Sequence, residues 1–346
     1  MKTEMLAAVL YGKETLKVEP VAVPRIGPGD VLVKVKAALT CGTDVKVFRR
    51  GYHARMIVPP ALFGHELAGD VVETGAAVTR FRKGQRVVAA NSAPCGRCFY
   101  CQKSLENLCE DLLFNNGAYA EFIRIPARIV EKNLHEIPAH VSYQDAALIE
   151  PLACVLRGIE ESDVRAGDNV AVIGLGPIGL MFVRMARARG ARVIAVGRRP
   201  PQLDRAEKMG AQEVMLSDDT FDVVGAVRAL TQNRGVDVAI EAVGKPECWE
   251  QAVGMVRRGG TVNFFGGCPN ETHVDLDTNL LHYSEITCKA SFHHTPGLIS
   301  KALEAVARGL VTAQDLVNRE EPLSNLLEVM RYLMSHNGHM KTAIIP

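Results

Sequence analysis

The sequence predicts a two-domain α/β chain, with a β-rich part first and a doubly wound parallel sheet after it. Three observations carry this. Short alternating strands fill the first 150 residues, four apolar runs alternate with helical spacing from about residue 168, and 346 residues are more than one ordinary domain needs.

Residues 31–38 (VLVKVKAA) put Val33, Val35 and Ala37 on one face and Lys34 and Lys36 on the other. A period of two marks a half-buried antiparallel strand. Residues 67–73 and 119–125 read as further short strands between Gly and Pro punctuation. The later runs are Val170–Ile173, Val193–Val196, Val236–Ile240 and Val262–Phe265. Strands apolar on both faces fit a parallel sheet covered by helices. The intervening helices are Ile178 to Ala188, ended by Gly190, and Val223 to Leu230, ended by Gly235. In the tail, 299–308 and 324–335 read as helices and Lys341–Ile345 as a closing strand. There is no internal repeat and no low-complexity segment.

A formal net charge of +1 gives no bulk field for nucleic acid or an anionic membrane. No run reaches the roughly 18 apolar residues of a membrane span. The start, Met1-Lys2-Thr3-Glu4, has no apolar run behind it, so the expectation is a cytoplasmic protein without a signal peptide. In that setting nine cysteines point to metal or catalysis rather than to a disulfide framework.

Cys95, Cys98, Cys101 and Cys109 follow C-x2-C-x2-C-x7-C. Such short loops can wrap four thiolates around one Zn²⁺ and leave no position for water, which makes a structural site. Four free buried cysteines, two disulfides or an iron–sulfur cluster are the alternatives. A second set is more scattered: Cys41 in Cys-Gly-Thr43-Asp44, His65-Glu66, then Glu150 and, after Pro151, Cys154. A thiolate, an imidazole and a carboxylate suit an open zinc shell. Taken alone, a buried Cys or His is more often a core residue than a ligand; the three together suit either reading.

Gly174-Leu175-Gly176-Pro177-Ile178-Gly179 follows a predicted strand and opens a predicted helix. In that context G-x-G-x-x-G cradles a pyrophosphate: the first glycine turns, the second admits the ligand, the third packs helix on strand. The next strand ends Val196-Gly197-Arg198-Arg199. Where an acid would bind a ribose 2′-hydroxyl there is glycine, and two guanidiniums follow that can pair with a 2′-phosphate. This predicts NADP; if both arginines are solvated surface charges, either NADP or NAD would serve.

The order CGTD, GHE, four-cysteine lobe, IEPLA and GLGPIG resembles the zinc-containing medium-chain dehydrogenases, in the branch with sorbitol and threonine dehydrogenases. The resemblance spans nearly the whole chain. It implies a chaperonin-like (GroES-like) catalytic domain of residues 1–156 with 293–346, an inserted Rossmann domain of residues 157–292, and an active site in the cleft between them. It implies Cys41, His65 and Glu66 as catalytic zinc ligands. The fourth would be Glu150, Cys154 or water. Thr43 matches the hydroxyl that contacts the alcohol oxygen, and Asp44 a group that orients a ligand. Where many relatives have a relay histidine, this chain has Lys46. His293 and His294 fall in a segment that carries substrate-contacting residues in sorbitol dehydrogenases; an exposed loop is the other reading.

The expected activity is therefore zinc-dependent hydride transfer between NADP(H) or NAD(H) and a secondary alcohol or polyol. The alternatives are threonine or another amino alcohol as substrate, a zinc-free reductase on the same fold, and a non-catalytic NADP-binding scaffold. Aromatics at 5% offer no clear sugar-stacking platform. An anionic substrate would need a cation, for which Lys46, Arg49 and Arg50 are candidates. By resemblance the protein is a homodimer or homotetramer.

Overall fold

The structure is a computed structural model and describes residues 2–53, 55–218, 220–335 and 340–346. The chain divides into two units, Met1–Ala153 with His294–Pro346, and Cys154–His293.

The first unit is built on a β-sheet. Among the described residues its strands run Leu134–Glu136, Arg86–Ala89, Glu66–Thr74, Val31–Leu39, Lys341–Ile345 and Val317–Pro322. A smaller sheet joins Thr15–Ala22, Glu4–Gly12 and Ala61–Leu62. Val31–Leu39 is the organising strand. Along one edge it pairs with Glu66–Thr74. Its other edge is shared: residues 31–34 pair with Phe122–Ile125, and Ala38 and Leu39 pair with Ile344 and Ala343 of the C-terminal strand. Val33, Val35, Phe48, Phe63 and Tyr119 are buried in the core of this unit. Each such large apolar side chain gains roughly 1.5–3 kcal/mol by leaving water.

The second unit is a parallel sheet in the order Glu213–Leu216, Arg192–Gly197, Asn169–Ile173, Val236–Glu241, Val256–Phe264, Thr287–Ala290. Helices Pro177–Ala188, Pro200–Lys208, Val223–Ala229 and Pro246–Met255 follow successive strands. The order reverses at Asn169–Ile173, the switch point at which doubly wound sheets bind ligands.

Several elements differ from the sequence expectation. The strand read at 119–125 is Phe122–Ile125. Tyr119 lies before it because its backbone is drawn off to Phe63 and Ala8. The run Val262–Phe265 is the end of Val256–Phe264, with Phe265 just past it; the strand's start holds Arg257, Arg258, Gly259 and Gly260 and so shows no apolar signal. The edge strands Glu213–Leu216 and Thr287–Ala290 escaped notice because each is four residues long and neither buries a face: the first is half-buried and ends on exposed Leu216, and the second is exposed throughout. The helix read at 324–335 is a 3-10 turn, Leu323–Asn325, followed by Leu326–Ser335.

Candidate active site

Strand register brings the scattered residues of the first unit together. Leu39 is paired with Glu66, so the end of one strand meets the start of its antiparallel neighbour. Cys41 leaves the first strand, and His65-Glu66 enters the second. The ligand atoms of Cys41, His65 and Glu66 lie within 4.8 Å of one another. Cys41 is also the N-cap of helix Gly42–Arg50. Its Sγ accepts from the Thr43 amide at 3.4 Å, and its own amide donates to Asp44 Oδ2 at 3.2 Å.

His65 and Asp44 are both buried, with Nδ1 of the ring 2.9 Å from Asp44 Oδ1. A carboxylate on one ring nitrogen fixes the tautomer and leaves Nε2 for a metal. Burial works to lower the basicity of His65, but Asp44 and Cys41 raise it well above the ordinary value.

Glu66 is fully buried and meets a cation from the other end of the chain. Lys341 Nζ lies 2.7 Å from Oε1 and 2.6 Å from Oε2, and also donates to the Thr40 carbonyl. Burial pushes the Glu66 carboxyl up, to about 7, against the pull of Lys341. Burial pulls Lys341 down, yet Glu66 and Cys41 hold it above its ordinary value. The two shifts point in opposite senses for the pair. The two short hydrogen bonds decide for an ion pair, with a lone pair on each oxygen still able to reach a metal. The three mixed donors thus fit a zinc site with an open position.

Glu150 sits in the first turn of helix Ile149–Glu161 and is buried, which raises its carboxyl. His294 is buried beside it, its Nε2 3.8 Å from Glu150 Oε1 and 3.2 Å from Asn91 Oδ1. The exposed-loop reading therefore fails for His294. His293 is half-buried with a left-handed backbone, φ 63°. Cys154 lies one helical turn beyond Glu150 and is not among the donors that converge with Cys41. Thr43 is half-buried in the first turn of its helix. Lys46, Arg49 and Arg50 are exposed, and Arg49 donates to the Met334 carbonyl.

The four-cysteine lobe is compact. The Sγ atoms of Cys95, Cys98, Cys101 and Cys109 lie within 4.8 Å of one another, and none forms a disulfide. Cys98 and Cys109 are 3.8 Å apart, Cys95 and Cys101 4.0 Å. A tetrahedron with Zn–S near 2.3 Å has edges of about 3.8 Å, whereas a disulfide needs about 2.05 Å. Amides of Arg97 and Cys98 hold the Cys95 thiol down, at about 6.

In the second unit Gly174 has φ 93°, and a Cβ there would strike Val243. A Cβ on Gly179 would fall 1.7 Å from the Gly174 carbonyl oxygen. A Cβ on Gly176 would meet nothing within 4 Å, at the N-cap of helix Pro177–Ala188, which begins Pro177-Ile178. Two glycines are therefore required by packing, and the third leaves open space where helix amides point. That space fits a pyrophosphate. Gly197 is crowded too: a Cβ would lie 2.7 Å from Leu175 Cδ1. Arg198 is exposed, and Arg199 caps helix Pro200–Lys208.

Sequence reasoning missed Glu241. It is buried at the end of the strand beside the switch point, and its Oε1 accepts from the amides of Val243 and Gly244. It so braces the loop that packs against Gly174. Its only signal was a carboxylate directly ending an apolar run. Lys341 was missed as well, since its partner lies 275 residues away.

Zinc donor sets and a dinucleotide loop in one chain define a metal- and nicotinamide-dependent oxidoreductase. Residues 27–138 match the alcohol dehydrogenase GroES-like domain, and residues 177–308 the zinc-binding dehydrogenase family. Over 350 residues the chain is 32% identical to sorbitol dehydrogenase of Bacillus subtilis, covering 99% of this chain and 97% of that one. It is 35% identical to L-threonine 3-dehydrogenase of Bacillus licheniformis over 78% of each chain. A Sinorhizobium meliloti structure described as a zinc-binding dehydrogenase bound to NADP superposes with a TM-score of 0.91, at 32% identity and full coverage of both chains. 2R,3R-Butanediol dehydrogenase of Bacillus subtilis superposes at 0.88, with 28% identity and 99% coverage of each. The chain belongs to the zinc-dependent medium-chain dehydrogenases, in the branch of sorbitol and threonine dehydrogenases.

Proposed function

We propose that this protein oxidises a secondary alcohol or polyol and reduces the corresponding ketone, with NADP as its preferred cofactor. The convergence of Cys41, His65 and Glu66 carries this reading. These residues would hold the catalytic zinc, with Glu150 as the nearby carboxylate able to complete the shell. Cys95, Cys98, Cys101 and Cys109 would hold a structural zinc. Gly174, Gly176, Pro177, Ile178 and Gly179 would seat the pyrophosphate, and Arg198 and Arg199 a 2′-phosphate. The first unit would then be the catalytic domain and the second the dinucleotide domain.

When bound, zinc supplies Lewis acidity toward a carbinol oxygen, and the nicotinamide accepts or returns the hydride. The rest falls to the chain. Asp44 holds His65 in one tautomer. Lys341 neutralises Glu66, so the donor set carries less negative charge. Thr43 would hold the carbinol oxygen and pass its proton outward, and exposed Lys46 leaves solvent as the next acceptor. The polyol reading is favoured over threonine because Lys46, Arg49 and Arg50, the cations considered for a carboxylate, are all exposed.

A homo-oligomer is proposed on the edge strand Thr287–Ala290, all four residues of which are exposed. An uncovered strand edge invites a second copy. No helix among the described residues is long and apolar enough to cross a membrane, and a cytoplasmic location is proposed.

A turnover screen of zinc-loaded protein tests this, with secondary alcohols, sugar alcohols and β-hydroxy amino acids offered with NADP and with NAD. We expect reduced nicotinamide with an alcohol or polyol, two zinc ions per chain, and a preference for NADP that falls about tenfold in Arg198→Ala/Arg199→Ala. Cys41→Ser should lose turnover and one zinc yet still bind cofactor. Turnover confined to hydroxy amino acids would overturn the substrate, and normal turnover in Cys41→Ser the site.

A further inference from the structure

We propose that Tyr119 is a positioning residue for His65, acting through Asp44. This rests on the reading of Cys41, His65 and Glu66 as a zinc site.

Tyr119 is fully buried, its ring edge-on to Phe63 with centroids 5.7 Å apart. Its hydroxyl lies 2.6 Å from Asp44 Oδ2 and 3.1 Å from the Leu39 carbonyl. A hydroxyl has one proton, and the nearer, charged acceptor takes it. Among the described residues Asp44 Oδ2 otherwise accepts only from the Cys41 amide at 3.2 Å, while Oδ1 faces His65 Nδ1 at 2.9 Å. The tyrosine hydroxyl therefore supplies the short bond on the far side of the carboxylate. Without it the carboxylate is free to turn about its own axis, and the histidine ring turns with it.

The backbone is arranged to admit this ring. Gly64, the residue before His65, has φ 88°, and a Cβ there would lie 2.5 Å from the Tyr119 ring. The amides of Gly117 and Ala118 donate to the Gly64 carbonyl, and the Tyr119 amide to that of Phe63. The segment that carries Tyr119 is thus laced to the segment that carries His65. A ring alone would fill this core equally well. The hydroxyl is the part that packing does not require, and it points at Asp44.

Tyr119→Phe keeps the ring and deletes only the hydroxyl. Zinc affinity is read at both metal sites by competition with a chromogenic chelator, and Cys41→Ser marks which zinc belongs to which site. Groups that orient a ligand are typically worth 10–100-fold in affinity, and Tyr119 acts one bond further out. We expect zinc at Cys41, His65 and Glu66 to weaken about 5–10-fold, with the four-cysteine zinc unchanged and only about a few degrees lost from the unfolding temperature. In an Asp44→Asn background the tyrosine change should add nothing further, since both act on one chain of bonds. Affinity within twofold of the parent, additivity with Asp44→Asn, or a general loss of folding that weakens both sites would each overturn the proposal. A parent protein with only the four-cysteine zinc would instead refute the zinc site itself.

Discussion

On the proposed assignment the two units would hold their ligands in opposite ways. In the first, side chains of Cys41, His65 and Glu66 converge from two strand ends, and their partners Asp44 and Lys341 come from a helix and from the C-terminal strand. In the second, six consecutive residues present backbone, and the side chains matter mainly by being absent. The first design brings buried charge that must be balanced; the second brings close approach that tolerates no added atom. Each design should therefore fail in its own way.

The largest effect is expected at Lys341. Its charge balances a carboxylate with no exposed surface. Lys341→Met leaves Glu66 alone, and removing one partner of a buried pair costs about 3–5 kcal/mol. Chemical denaturation of the metal-free protein should show that loss. Glu66→Gln in the same background should recover most of it, and added zinc should shrink it by replacing the lost cation. If Lys341→Met unfolds at the parent's denaturant concentration, the first unit does not depend on charge balance and the contrast is wrong.

In the second unit the comparable change is a methyl group. Gly179→Ala places a Cβ 1.7 Å from a backbone carbonyl oxygen, so strand and helix must part. Overpacking of this kind costs about 3 kcal/mol. The loss should appear as an earlier transition of the second unit, with both zinc ions of the first retained. Gly176→Ala meets no atom and should leave folding unchanged while weakening dinucleotide binding. Equal folding losses in the two variants would show that the loop's geometry is not what separates them.

The same contrast explains what the sequence made legible. The glycine loop is contiguous and follows an apolar strand, so its pattern carries its meaning within a dozen residues. The four cysteines are nearly as local. Cys41 and His65-Glu66 could be matched by resemblance, but only register shows why they meet: Leu39 opposite Glu66. Lys341 and Tyr119 could not be read at all, because one looks like a charged residue near the end of the chain and the other like one more residue of an alternating strand. The edge strands Glu213–Leu216 and Thr287–Ala290 were hidden because each is only four residues long and buries no face, so neither shows the longer buried apolar run of its central neighbours.

The smallest effect concerns Glu241, a buried carboxylate for which no cation among the described residues does what Lys341 does for Glu66. Burial pushes its carboxyl up to about 7, against the amides of Gly244 and Val243. The ordinary value is 4.5. The folded state thus holds this proton more tightly than the unfolded state. Its contribution to stability is complete below about pH 4.5 and is lost as pH rises through about 7. Gln in its place keeps an acceptor for the Val243 and Gly244 amides but has nothing to ionise. Glu241→Gln should match the parent near pH 4.5 and exceed it by roughly 2–3 kcal/mol at pH 8, read by urea denaturation of the second unit. A difference that stays constant from pH 4.5 to 8 would mean that the loop already compensates the charge, and that the second unit balances buried carboxylates as fully as the first.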